Sequence, residues 1–253
     1  MVQRLTEREF KMFREIVYRE SGIHLSAGKR DMLSTRLSRR MRTLGFSAEQ
    51  YLDRIRKDPE EMTRFLDAVS TNHTFFFRER RSFRYLSADF RNIWSAASSS
   101  GEEAYSIATW CRELGGSPRI LATDISSECL RQGERGVYAM KAADQIPEAM
   151  LKRYFQKGHG QWEGYLRVKA EIRESVSFRA FNLLKDTPPE TRFDAIFCRN
   201  VMIYFDNPTK EAVVRRLSGA LKRGGYFIIG GAESLSGISH PFKYVEPSVY
   251  RKP

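Results

Sequence analysis

The chain has 253 residues, enough for one large domain and a smaller one beside it, and its net charge of +12 calls for an acidic partner: nucleic acid, an anionic membrane surface or an acidic protein. No apolar run reaches the ~18–20 residues of a membrane span, and the charged opening MVQRLTEREFKMFREIV lacks the apolar core of a signal peptide. Cys111, Cys129 and Cys198 are scattered without C-x-x-C spacing, and His24, His73, His159 and His240 form no ligand pair, so a reducing cytoplasm is expected, with no disulfide framework and no metal.

Residues 5–70 read as helices. Phe10, Phe13, Ile16 and Val17 recur at helical spacing, as do Leu33, Leu37, Met41 and Leu44. Gly22 and Gly45 end the first two helices, and Ser47 with Glu49 and Gln50 marks a helix start. This stretch is also the more basic part, with 20 Lys/Arg against 13 Asp/Glu over residues 1–91 and 23 against 18 beyond. In KRDMLSTRLSRRMRTLG, Arg36, Arg39 and Arg40 fall opposite Leu33, Leu37 and Met41. Such a stripe is either an ordinary solvated face or an electrostatic docking face.

From Ile93 the texture changes. Strands are expected at 91–96, 119–124, 176–182, 193–200, 225–231 and 243–252, with helices at 102–114, 126–135 and 207–222. Alternating β and α units imply an α/β fold: a doubly wound, mostly parallel sheet with helices on both faces. The stretch YFQKGHGQWEGYLRVKAEIRESVSF breaks the alternation, and its glycines and alternating apolar residues suggest a small antiparallel subdomain over about 154–178. The expected organisation is a helical domain over 1–70, a linking helix over 71–90 that contributes to the site, and a larger domain over 91–253.

Ligands in an open α/β sheet bind beyond the carboxyl ends of the strands. There the chain offers WSAASSSGEEAYSIA, with a single Gly101, no following Lys, and Glu102 and Glu103 where a phosphate wants positive charge. Asp124, 23 residues after Gly101, suits ribose hydroxyls. A nucleoside without phosphates and with positive charge fits, and S-adenosylmethionine is such a ligand. Spacing alone leaves the bland readings open. Asp124 can cap the helix near Ser126, Glu102 and Glu103 can favour a helix start, and Tyr204 can be a core tyrosine. Glu102 is expected to act only on the helix dipole, Phe75, Phe76 and Phe77 to pack, His73 to be a bystander and Cys198 to be structural.

The blocks TNHTFFFRE, WSAASSSGEEAYSIA, ATDIS, FNLL, FDAIFCRNVMIYFD, GGYFIIGGAESL and VYRK together resemble the chemotaxis receptor methyltransferases, the CheR family of glutamate O-methyltransferases. The likeness runs from about residue 7 to the C-terminus. It implies an S-adenosylmethionine-dependent methyltransferase fold with an N-terminal helical domain and a small β-subdomain. Carried over by position, Asn72, Thr74 and Arg78 would line the cofactor and the mouth of the site. Glu103 would hold the methionine end, Asp124 the ribose, and Asn182 and Leu183 the adenine side. Arg199 and Asn200 would complete the pocket, with Arg78 and Tyr204 near the methyl group as catalytic residues. The implied partner is the cytoplasmic domain of a chemoreceptor, docked on the arginine face and tethered by its C-terminal peptide at a loop containing Gly158, Gly160 and Gly164. A cytoplasmic monomer recruited to receptor arrays is expected, meeting the membrane only through receptors and binding no nucleic acid.

Two departures stand out. Ala97, Ser98 and Ser100 replace residues that relatives often carry as Gly, Cys or Ala, and Thr, though all are small. The run from Phe83 to Trp94 is shorter than relatives usually have. A nucleic-acid methyltransferase would suit the charge but would want an Asn/Asp-Pro-Pro-aromatic motif where this chain has CRNVMIYF. A non-catalytic regulator predicts loss of Arg78 or Tyr204, and a pure adaptor does not need the cofactor residues at all.

Overall fold

Thr6 opens the first helix, its hydroxyl accepting the Glu9 amide while the Glu9 carboxylate accepts the Thr6 amide. The computed structural model describes residues 4–253. Helix α1 (Glu7–Ser21) ends at Gly22, whose φ of 74° lies in the left-handed region that glycine favours. Helices α2 (Arg30–Leu44), α3 (Ala48–Lys57) and α4 (Pro59–Val69) follow. Ser47 and Gln50 form a second reciprocal cap on α3, and Asp58 caps α4 just ahead of Pro59. Phe10, Phe13, Leu33, Leu37, Tyr51 and Phe65 meet in one buried core between the four helices.

The rest of the chain runs β1 (Asn92–Ala96), α5 (Glu102–Glu113), β2 (Arg119–Asp124), α6 (Ser127–Arg135), β3 (Val137–Ala139), α7 (Glu148–Tyr154) and β4 (Phe155–Lys157). It continues through β5 (Tyr165–Val168), α8 (Ala170–Arg173), β6 (Val176–Ala180), β7 (Phe193–Phe197), α9 (Asn207–Ala220), β8 (Leu221–Ile228), β9 (Lys243–Glu246) and β10 (Val249–Arg251). The main sheet has the order β6-β2-β1-β7-β8-β10-β9, parallel from β6 to β8 and antiparallel in its last two pairings. Because side chains alternate across a strand, Ile93 and Phe197 enter the core on one face while Trp94 and Ile196 enter the core on the other. Both faces are covered, so these strands read as continuous apolar runs. The chain crosses from β1 to β2 on one side while β7 flanks β1 on the other. That switch opens a crevice beyond the carboxyl ends of the two central strands.

Several expectations need correction. Residues 71–90 are not a linking helix: a turn and a short 3-10 segment (Arg80–Tyr85) take its place. Phe77 and Glu79 have φ of 56° and 49°, which no α-helix accommodates, and the bend lets Phe76 and Phe77 both bury. The strand expected over 243–252 is a hairpin, split where Pro247 offers no N–H and Ser248 takes a φ of 70°. The small sheet has the order β3-β5-β4, so its third strand comes from Val137–Ala139, ahead of the glycine-rich stretch. Val176–Ala180 instead pairs parallel with β2 at the edge of the main sheet. The short run between Phe83 and Trp94 closes directly, with Leu86 buried and Ala88 packed so tightly on Gly116 that a Cβ there would lie 2.8 Å from the Ala88 carbonyl oxygen.

Arg36, Arg39 and Arg40 of α2 do not share one open face. Arg40 pairs with Glu61, which is 1% exposed and also accepts the Tyr51 hydroxyl at 3.0 Å. Arg36 donates to the carbonyls of Val69 and Ser70 and to Thr71, fastening α2 to the start of the next segment. Arg39 alone of the three is exposed. Arg40 holds the Glu61 carboxyl below its ordinary range despite the opposing effect of burial, and Tyr51 adds to the lowering. The pair's contribution is therefore complete above the unfolded carboxyl pKa and is lost as pH falls through the lower folded value. Replacing Arg40 by Ala is expected to cost about 3 kcal/mol at pH 7, the low end for breaking a buried pair because Arg40 is partly open to water. Urea denaturation of wild type and variant at neutral and strongly acidic pH checks this, and the difference should shrink at acid pH.

Candidate active site

The loop after β1 packs three left-handed residues into five positions: Ala97 at 64°, Ser99 at 51° and Gly101 at 93°. A Cβ on Gly101 would lie 2.8 Å from the Phe178 ring and 3.1 Å from the Gly133 backbone, so only glycine fits between β6 and α6. The loop is stitched to the neighbouring strand end. Ser98 N–H donates to the Thr123 carbonyl at 2.8 Å, and Ser99 N–H donates to the Asp124 carboxylate at 2.8 Å. Asp124 also accepts the Ser126 amide at 2.9 Å, while the cap of α6 is Ser126 itself, accepting from Cys129. Asp124 thus holds two loops together at the crevice and is not the cap of the following helix.

The two carboxylates that open α5 part company. Glu102 accepts the Ser100 hydroxyl at 2.7 Å and faces away from the crevice. Glu103 turns into it, accepting the Ser95 hydroxyl at 2.6 Å with Arg199 Nη1 at 3.3 Å. Burial pushes Glu103 up, against the pull of Arg199, and burial likewise pushes Asp124 up, against the backbone amides it accepts.

One cavity gathers all ten residues that the sequence motifs single out there. Asn72, Thr74 and Arg78 come from the turn after α4, Glu103 from α5, Asp124 from β2, and Asn182 and Leu183 from the loop after β6. Arg199 and Asn200 follow β7, and Tyr204 ends the short turn Met202–Tyr204. Arg78 donates to the His73 carbonyl at 2.9 Å and lies over the Phe75 ring, 5.6 Å from its centre. Asn182 fixes its own loop by accepting the Leu184 and Lys185 amides, and donates to the Glu20 carbonyl of α1 at 2.7 Å. Among the described residues, Ser98 Oγ and Arg199 Nε are buried without a hydrogen-bond partner, and both residues line the cavity. Such orphaned groups fit a polar ligand that completes them.

Residues outside the expected set also build this wall. Ser21 and Ile23 reach it from the end of α1, and the His24 amide donates to the Tyr204 carbonyl at 2.8 Å. Phe75, expected only to pack, lines the cavity under Arg78, and His73 lines it as well. Glu233 orders the loop after β7, accepting the amides of Asn200, Ile203 and Gly230 at 2.8, 3.2 and 2.6 Å. Nothing local in AESLSG signals this last role, because its partners are 30 and 33 residues away for two of the three bonds.

A second cavity lies between α6 and the small sheet, with Arg135, Gly158, His159, Trp162 and Tyr165 on its walls. A Cβ on Gly158 would sit 2.0 Å from the Trp162 carbonyl oxygen. Gly160 and Gly164, with φ of 61° and 82°, shape the connection between β4 and β5 without lining the groove. Among the described residues no cluster of His, Cys, Asp or Glu could hold a metal ion, and all three cysteines are free and buried.

The family profile described as CheR methyltransferase, SAM binding domain, matches residues 72–251, and that described as CheR methyltransferase, all-alpha domain, matches residues 8–70. The chain is similar to the chemotaxis protein methyltransferase of Klebsiella aerogenes, with 39% identity over 99% of this chain and 92% of the relative. It is similar to chemotaxis protein methyltransferase 2 of Pseudomonas aeruginosa, with 40% identity over 97% of this chain and 93% of the relative. The chemotaxis protein methyltransferase of Escherichia coli K12 is 38% identical over 97% of this chain and 91% of its own length.

Proposed function

Because the chain belongs to the CheR methyltransferase family, and so to the S-adenosylmethionine-dependent methyltransferases of chemotaxis, we propose that it methylates glutamate side chains on the cytoplasmic helices of chemoreceptors. The observation that carries this reading is that Glu103, Asp124 and the buried Arg199 line the same cavity as Arg78 and Tyr204. Glu103 would take the ammonium of the methionine end, and Asp124 the ribose hydroxyls. Asn182 and Leu183 would flank the adenine, with Asn72, Thr74, Arg199 and Asn200 closing the remaining wall. When bound, S-adenosylmethionine supplies a methyl group on a sulfonium, which a glutamate oxygen displaces to give a methyl ester and S-adenosylhomocysteine.

The chain's own residues then have little acid–base work to do. A glutamate with a solution pKa near ~4.3 is already ionised at pH 7, so its oxygen attacks without a general base. What remains is alignment, and held geometry supplies roughly 7–11 kcal/mol in favourable cases. Arg78, braced by the His73 carbonyl and the Phe75 ring, offers a fork for the incoming carboxylate. Tyr204 is anchored through its carbonyl to the His24 amide and lines the same cavity.

The receptor is the partner. Its helices would meet the arginine-bearing side of the helical bundle, where Arg39 is open and Arg36 and Arg40 are largely committed to internal partners. Its C-terminal peptide would add to an open edge of the small sheet beside Gly158, in a groove rimmed by Arg135, Lys157 and Arg167. No helix among the described residues is long and apolar enough to cross a membrane. On this reading the enzyme would act as a monomer in the cytoplasm, drawn to membrane arrays by the receptors and not by lipid or nucleic acid.

Three measurements test this reading. Methyl-labelled S-adenosylmethionine with a receptor cytoplasmic fragment should give label that brief alkali releases as methanol; label retained on nitrogen or on bases overturns it. Asp124→Ala should weaken S-adenosylhomocysteine at least about tenfold by calorimetry, since a buried acceptor is lost, whereas Tyr204→Phe should keep affinity and lower turnover. Finally, the ammonium favours the ionised form of Glu103, whose carboxyl burial pushes up. Affinity should weaken on the acid side of neutrality, by up to about tenfold per pH unit, with protons released on binding there. Titrations in buffers of different ionisation enthalpy read that release directly.

A further inference from the structure

Glu79 has no part in the roles assigned so far, yet its backbone is held at a φ of 49°, a region glutamate seldom visits. Strain of this kind persists only where the surroundings over-determine it. The surroundings here are three chain segments that meet on one carboxylate. Oε2 accepts the Gly231 amide at 2.8 Å and Arg199 Nη2 at 3.1 Å, and Oε1 accepts Asn200 Nδ2 at 3.3 Å. Arg78 Nε stands 3.9 Å from the same Oε1. Burial pushes the Glu79 carboxyl up, but the Gly231 amide, Arg199 and Asn200 outweigh it and keep the group ionised.

Arg199 therefore lies between two carboxylates. Its side chain is 1% exposed, with Nη2 towards Glu79 and Nη1 3.3 Å from Glu103. We propose that Glu79 is a positioning residue that balances Arg199 from behind, so that the guanidinium does not draw Glu103 away from the cofactor's ammonium, while also steadying Arg78 at the cavity wall. The proposal rests on the cofactor reading given above. Without Glu79, the buried guanidinium has Glu103 as its one carboxylate partner. In a poorly solvated site that pair closes on itself, and Glu103 is no longer available to a second cation.

The test uses the full chain and two probes that differ at one end. S-adenosylhomocysteine carries the ammonium; 5′-methylthioadenosine keeps the adenosine and lacks it. Calorimetric affinities are measured for wild type, Glu79→Ala and Glu79→Gln. The Gln variant keeps the shape and an acceptor for Gly231 but not the charge. Both variants are expected to bind S-adenosylhomocysteine about tenfold or more weakly, as for the loss of a charge-assisted contact, with methylthioadenosine affinity unchanged. Wild-type affinity in Glu79→Gln, or equal weakening of both probes, overturns the positioning role while leaving the cofactor reading intact. If wild type binds neither probe, the cofactor reading fails and the proposal falls with it.

Discussion

Arg199 leaves the end of β7 with a side chain that is 1% exposed, and a buried cation must be met by carboxylates or be expelled from the fold. Meeting it requires Glu103 from the first turn of α5 and Glu79 from the bend after the helical bundle, together with the Arg78 carbonyl at 2.6 Å. Those partners come from two segments, and Arg199 itself from a third. Satisfying one guanidinium therefore sets the position of the β1 loop, the β7 loop and the 72–79 turn relative to each other. The Phe83 ring, 6.0 Å from the guanidinium carbon, closes the apolar side.

The helical bundle takes part in the site and does not merely accompany it. Its first helix ends at Gly22, where a Cβ would lie 2.8 Å from Thr209 of α9, so the two units approach as closely as a missing side chain allows. From that junction the Glu20 carbonyl holds Asn182 and the His24 amide holds Tyr204. Two loops from opposite sides of the sheet's switch point are thereby referenced to one turn of chain. Tyr18 donating to Asp206 at 2.8 Å, and Ser127 donating to Asp67 at 2.8 Å, fasten the same two units elsewhere. A load on the bundle thus has direct mechanical contact with the loops that carry Asn182 and Tyr204.

Adjacent glutamates show how finely the fold separates chemically equal residues. Glu102 and Glu103 both favour the start of α5 through its dipole. A helix turns by about a hundred degrees per residue, so one carboxylate looks back to Ser100 and the other into the crevice. His73 also stands on the cavity wall, beside the Phe75 ring.

The local signals in the sequence were enough for most of the frame. The cap at Ser47, the glycine stops at Gly22 and Gly45, and the apolar runs of β1, β2 and β7 each depend on neighbours within a few residues. The acid-bearing loop at Gly101 to Glu103 and the acidic end of β2 already spoke for a cationic nucleoside, and the resemblance in TNHTFFFRE and CRNVMIYF named residues that the fold brings to one cavity. The tertiary structure decided the rest. It turned Arg36 and Arg40 inward, split the last strand at Pro247, recruited Val137–Ala139 to the small sheet, and gave Phe75, Glu79 and Glu233 their places around the site. The reason is one of range. Periodicity and capping report which face an element buries, whereas the partner of a buried charge or a short edge strand is chosen by segments tens to more than a hundred residues away, as with Glu79 and Arg199, 120 positions apart.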